Sequence, residues 1–126
     1  MNIRFVTKSI HAILDYPVAL ALIVLPFLLG LGSTNPIALW LSVSVGIAAA
    51  ILTFFTDHFL GVVRVLPYSF HLAVDFLVAL VFLAAPFVFG FTGIDAWFYW
   101  LNGLAVIVVV SLHKPETAEA RLNSAT

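Results

Sequence analysis

Four long apolar runs alternate along the chain with short polar breaks. They extend from about Ile10 to Leu31, Ile37 to Thr56, Phe70 to Phe91 and Ala96 to Leu112. A helix rises 1.5 Å per residue, so ~20 residues cross a hydrocarbon core of ~30 Å. The runs are continuous rather than alternating, and a barrel strand needs only ~10 residues. The pattern predicts an all-α bundle of four transmembrane helices, the fourth being the shortest and free to begin earlier.

The breaks differ in kind. Gly30 to Pro36 (GLGSTNP) and Gly90 to Asp95 (GFTGID) are short turns rich in Gly, Ser, Thr, Asn and Pro, without Lys or Arg. The central connection, Thr56 to Ser69, is longer and carries Arg64, and its apolar residues suit the membrane interface. Arg4, Lys8, Arg64, Lys114 and Arg121 all fall on one side of a four-span topology. The positive-inside rule then places both termini and the central connection in the cytoplasm, in a cell inner (plasma) membrane. Trp40, Trp97, Tyr99 and Trp100 fall near the opposite boundary, where aromatic side chains anchor at the interface. Arg4 and Lys8 ahead of the first run raise the question of a signal peptide. The run is longer than the ~7–15 residues of a signal core and no small-residue cleavage site follows it, so a retained span is expected.

Composition supports the membrane class. Of 126 residues, 63% are hydrophobic and 9% charged, against about 25% charged in a soluble domain. The mean hydropathy is +1.19. A net charge of −1 offers no basic field for nucleic acid, and the absence of cysteine removes thiol catalysis and thiolate metal sites. The lipid bilayer is the expected partner.

The chain repeats itself. At an offset of sixty, ten identities appear: Arg4/Arg64, Ser9/Ser69, His11/His71, Asp15/Asp75, Val18/Val78, Ala19/Ala79, Leu20/Leu80, Pro26/Pro86, Phe27/Phe87 and Gly30/Gly90. Past the turn the offset falls to fifty-seven, and Trp40 meets Trp97, Gly46 meets Gly103 and Ala48 meets Ala105. The organisation is a single membrane domain over 1–126: repeat 1 over about 4–58, repeat 2 over about 64–115, and a polar tail over 116–126. Two spans per unit bring both copies in from the same side, so a pseudo-twofold axis along the membrane normal should relate them. On a helical projection seven of the ten identities share an arc of roughly 120°, while Ser9, Leu20 and Phe27 lie on the other side. Spans one and three should therefore meet near the axis with the shared stripe inward.

This unit resembles the SPW-repeat integral membrane proteins of bacteria and archaea. The residues that carry the resemblance are Leu25 to Gly32 (LPFLLGLG) with Trp40 and Gly46, and Ala85 to Gly93 (APFVFGFTG) with Trp97 and Gly103. The eponymous Ser-Pro-Trp is Leu25-Pro26-Phe27 in one copy and Ala85-Pro86-Phe87 in the other. The resemblance implies a small multi-span membrane protein and no reaction. Within the motif Pro26 and Pro86 read as helix stops or kinks, and Gly46 and Gly103 as points of close helix packing.

Chemistry, if any, rests on a duplicated Ser-x-His-x-x-x-Asp. Ionisable groups inside a span cost about 2.5–3.5 kcal/mol at its centre and less toward the interface. Asp15 and Asp75 lie one to two turns inside the boundary, each with a histidine four residues earlier on the same helical face. Arg4 and Arg64 can snorkel toward them from the interface. The candidate intramembrane cluster is therefore Arg4, His11, Asp15, Arg64, His71 and Asp75. The first reading is a polar clamp that fixes how spans one and three pack, at ~1 kcal/mol per contact. The second is a protonatable relay or ion site in a small transporter or channel, which would need a second copy because four spans enclose little volume. Imidazoles and carboxylates at one level also suit zinc, but no His pair at i,i+4 and no H-E-x-x-H occurs. No metal, cofactor or small-molecule substrate is thus expected. His58 and His113 read as helix-end groups facing lipid headgroups. No G-x-S-x-G, Walker loop or dinucleotide motif appears, so nothing in the chain marks it as an enzyme.

Overall fold

The computed structural model describes residues 8–56, 63 and 65–112. They form four helices: α1 (Lys8–Leu28), α2 (Ile37–Phe55), α3 (Tyr68–Phe89) and α4 (Gly93–Ser111). All four are long and apolar enough to cross a membrane. Among the described residues there is no strand, only an isolated bridge between Thr56 and Leu66. The protein is an all-α, multi-pass membrane protein, as the run lengths predict.

Helix ends follow local chemistry. α1 stops at Leu28 rather than at Leu31, because Gly30 and Gly32 take left-handed backbone conformations (φ 69° and 100°) that turn the chain. Leu31 N–H closes the end by donating to Pro26 O at 2.9 Å. α3 ends in the same way: Gly90 has φ 68°, and Phe91 N–H donates to Pro86 O at 3.0 Å. Pro26 and Pro86 therefore lie inside the last turn of α1 and α3 rather than beyond it. α4 begins at Gly93, earlier than Ala96, because Gly93, Ile94 and Asp95 form its first turn.

Helices pair as two hairpins, α1 against α2 and α3 against α4, with a lesser contact between α2 and α3. Each hairpin closes on a glycine. A Cβ on Gly46 would stand 2.8 Å from Ile23 Cγ1 and 2.9 Å from Ala19 O. One on Gly103 would stand 2.9 Å from Leu83 Cγ and 3.1 Å from Ala79 O. A side chain at either place forces the facing helix to shift. Ser42, fully buried, donates to Leu22 O at 2.8 Å and adds a polar tie within the first hairpin.

The apolar core gathers toward the end that carries the two short turns, around Leu22, Leu31, Phe82, Phe91, Phe98 and Tyr99. Tyr99 is not part of an interfacial belt with the tryptophans. It is fully buried, stacks near Phe82 with ring centroids 4.6 Å apart, and donates to Ala38 O across the hairpins at 2.6 Å. Trp40 and Trp97 are exposed, as an anchoring role requires. Leu20, Phe27, Leu80 and Phe87 are exposed and face outward, opposite the shared stripe.

Candidate functional site

Opposite the turn end, the first halves of α1 and α3 bring both His-x-x-x-Asp pairs together. The i,i+4 spacing puts His11 and Asp15 on one face of α1, with His11 Nε2 3.0 Å from Asp15 Oδ1. On α3, His71 Nε2 lies 3.3 Å from Asp75 Oδ2. The pairs also cross between hairpins: His11 Nε2 to Asp75 Oδ2 is 2.7 Å, and His71 Nε2 to Asp15 Oδ2 is 3.3 Å. Each histidine therefore touches both carboxylates. The two imidazole rings meet edge to face with centroids 5.5 Å apart. His11 is 4% and His71 2% exposed, so the arrangement is withdrawn from the surface.

Residues that the sequence reading did not select complete the site. Tyr68, on the first turn of α3, sets its ring 5.8 Å from His11 and 6.2 Å from His71. Thr56, fully buried at the end of α2, has its Oγ1 2.7 Å from His71 Nδ1 and donates to Leu52 O at 2.6 Å. A hydroxyl has one proton to give. With that proton on Leu52 O, His71 Nδ1–H is the donor to Thr56. The Nδ1–H tautomer leaves Nε2 of His71 directed at two carboxylate oxygens. Lone pairs on three such atoms face one another only with a proton or a metal ion between them. His11 Nδ1 is buried and has no hydrogen-bond partner among the described residues.

The cluster is not sealed. Asp15 and Asp75 line a cavity of about 130 Å³ with both histidines, Thr53 and Asn102. Asp75 also borders a cavity of about 420 Å³ between the hairpins, walled mainly by Val18, Leu22, Val45, Leu52, Phe55 and Val78. Val18 and Val78 thus face the space between hairpins at the level next to the cluster. Asn102 donates back to Phe98 O at 2.7 Å, and Thr53 to Ala49 O at 2.8 Å, so both polar side chains are tied to their own helices.

Of the sequence-predicted cluster, His11, Asp15, His71 and Asp75 come together, whereas Arg4 and Arg64 lie outside the described residues, as do His58 and His113. The motif residues sit away from the cluster. Pro26 and Pro86 are buried, while Phe27 packs on Trp40 at 6.0 Å and Phe87 on Trp100 at 5.7 Å. Trp100, rather than Trp97, is therefore the neighbour of the second motif's phenylalanine.

A second polar tie holds the turn end. Asp95, fully buried, accepts from Gly32 N–H at 2.9 Å, from Thr34 N–H at 3.1 Å and from Thr34 Oγ1–H at 2.6 Å. Asn35 adds a bond from its Nδ2 to Phe89 O at 3.2 Å. The first turn is thereby fastened to the second hairpin.

No family model matches the chain, and no curated protein or solved structure matches it.

Proposed function

We propose that the chain is a non-catalytic integral membrane protein of the SPW-repeat kind, and that its His/Asp cluster is the polar clamp that fixes one hairpin against the other. The observation that carries this reading is reciprocal contact: the histidine of each hairpin reaches the aspartate of the other, at 2.7 Å and 3.3 Å. Paired carboxylates and imidazoles are far less costly to bury than either alone. The SPW-repeat assignment is supported by matching turn geometry after Pro26 and Pro86 and by equivalent close packing at Gly46 and Gly103. The same matches favour a pseudo-twofold axis along the membrane normal. The one-sided distribution of basic residues favours an inner membrane with both termini cytoplasmic.

A second reading, a small proton- or ion-coupled pathway in a homo-oligomer, is favoured by the two cavities that the aspartates border. Stability and flux separate the two. Asp15→Asn, Asp75→Asn and the double substitution keep a hydrogen-bonding group of nearly the same shape but remove a carboxylate. The clamp reading expects thermal stability in detergent to fall by about 1 kcal/mol or less per site, with no proton flux in liposomes to lose. Wild-type flux that disappears in the asparagine variants, at unchanged stability, would replace the clamp with the pathway.

A further inference from the structure

We propose that His11, Asp15, His71 and Asp75 bind one divalent metal ion of the zinc class, held by Nε2 of each histidine and one oxygen of each aspartate. This goes beyond the clamp, which stands on direct contacts alone. One ligand atom from each of the four residues can be chosen so that all lie within 4.8 Å of one another. The nearest contacts between them run from 2.7 to 3.3 Å, through Oδ2 of Asp75 and both oxygens of Asp15. Metal–ligand bonds of about 2.0–2.1 Å in a tetrahedron put neighbouring ligands roughly 3.3 Å apart. Seating the ion opens the shortest contact by about half an ångström and draws in the most widely separated ligand atoms, which lie within 4.8 Å of one another, changes that side-chain rotation supplies.

Three further observations point the same way. The first is orientation. Metal-bound histidines characteristically donate their other ring N–H to a fixed partner. Thr56 fills that role for His71, since its own proton is committed to Leu52 O. The Nε2 lone pair is thereby directed at the centre of the cluster. The second is charge. Two carboxylates, two neutral imidazoles and one divalent cation sum to zero, the arrangement least penalised in a low-dielectric setting. The third is access: the four residues line the cavity of about 130 Å³, which gives an ion a way in.

The donor set selects the metal. Magnesium and calcium take six or more oxygens, of which this cluster offers too few. Two nitrogens and two oxygens around a compact centre suit zinc, whereas copper(II) prefers a flattened tetragonal set. Four protein ligands fill a tetrahedron, so the site is structural and leaves no position for an activated water.

The test uses the full chain, purified in detergent and stripped with a chelator. Equilibrium dialysis against Zn²⁺ should give one tightly held equivalent per chain. Co²⁺ in its place should show the intense visible bands of four-coordinate cobalt and lose them when Zn²⁺ is added. His11→Gln and Asp75→Asn should each weaken binding a hundredfold or more. Thr56→Val leaves all four ligands in place but frees the His71 ring, and should weaken binding about 10–100-fold. His58→Ala combined with His113→Ala should leave binding unchanged. The weak spectrum of six-coordinate cobalt, less than half an equivalent of zinc, or equal binding by the His11→Gln and Asp75→Asn variants would overturn the proposal. The clamp is judged apart from this, by stability in chelator: a metal-free protein that loses stability when Asp75 becomes leucine retains its clamp whatever the zinc result, and one that does not has no clamp.

Discussion

Asp75→Leu should lower stability in detergent by about 3–5 kcal/mol, the range for removing one partner of a buried ion pair. Leucine matches the apolar surroundings but leaves His11 and His71 with one carboxylate between them. His11 loses its shortest contact, 2.7 Å, and keeps only Asp15 of its own helix at 3.0 Å. His71 loses its 3.3 Å contact with Asp75 and retains the one of the same length across the hairpins to Asp15. Asp75→Asn restores an acceptor at the same place and should recover most of the loss. The measurement is thermal unfolding of the two variants in the same detergent. Equal stability for leucine and wild type would mean that the buried cluster contributes nothing to holding the hairpins.

Asp95→Ala should cost about 3 kcal/mol or more, because hydrogen bonds to a charged acceptor contribute roughly 1.5–3 kcal/mol each. Three donors converge on this carboxylate, all from the first turn. Alanine leaves Gly32 N–H, Thr34 N–H and the Thr34 hydroxyl to compete for whatever acceptor remains. Asp95→Asn is expected to recover less than Asp75→Asn does, since an amide offers one acceptor oxygen and turns two further protons toward donors. Thermal unfolding checks this ordering, and hydrogen exchange at Gly32 and Thr34 should accelerate in Asp95→Ala. Unchanged exchange there would show that the turn is held without the carboxylate.

The spans were legible because lipid leaves one strong signal, unbroken apolar length, that no local preference overrides. The duplicated His-x-x-x-Asp was legible for a different reason: polar identities at a fixed offset are conspicuous in an apolar chain. Their partners were not. Thr56 and Tyr68 belong to the central connection and the first turn after it, and neither has a matching residue in the other copy. Only the way the chain returns, with Leu66 N–H donating to Phe55 O at 2.9 Å, places Thr56 beside His71. Asp95 shows how a local signal can mislead. Thr92-Gly93-Ile94-Asp95 carries the spacing of a helix-capping box, yet α4 has no side-chain cap bond. The carboxylate instead crosses to Gly32 and Thr34, a long-range choice that spacing alone does not encode. Spacing groups Tyr99 with Trp97 and Trp100 as an interfacial aromatic, but its hydroxyl donates to Ala38 O on the other hairpin and the side chain is fully buried.

Two polar ties therefore hold the two ends of the bundle, with an apolar core near one and cavities near the other. At the cavity end, α1 and α3 meet through the charged side chains of the cluster. A double-mutant cycle with His11→Ala, Asp75→Ala and their combination, read as unfolding free energy in one detergent, tests this most directly. Residues in one ion-pair network couple by about 0.5–3 kcal/mol, and the 2.7 Å contact predicts a coupling of about 1 kcal/mol or more. Additivity within about 0.3–0.5 kcal/mol would contradict it and leave the two pairs as independent features of separate helices.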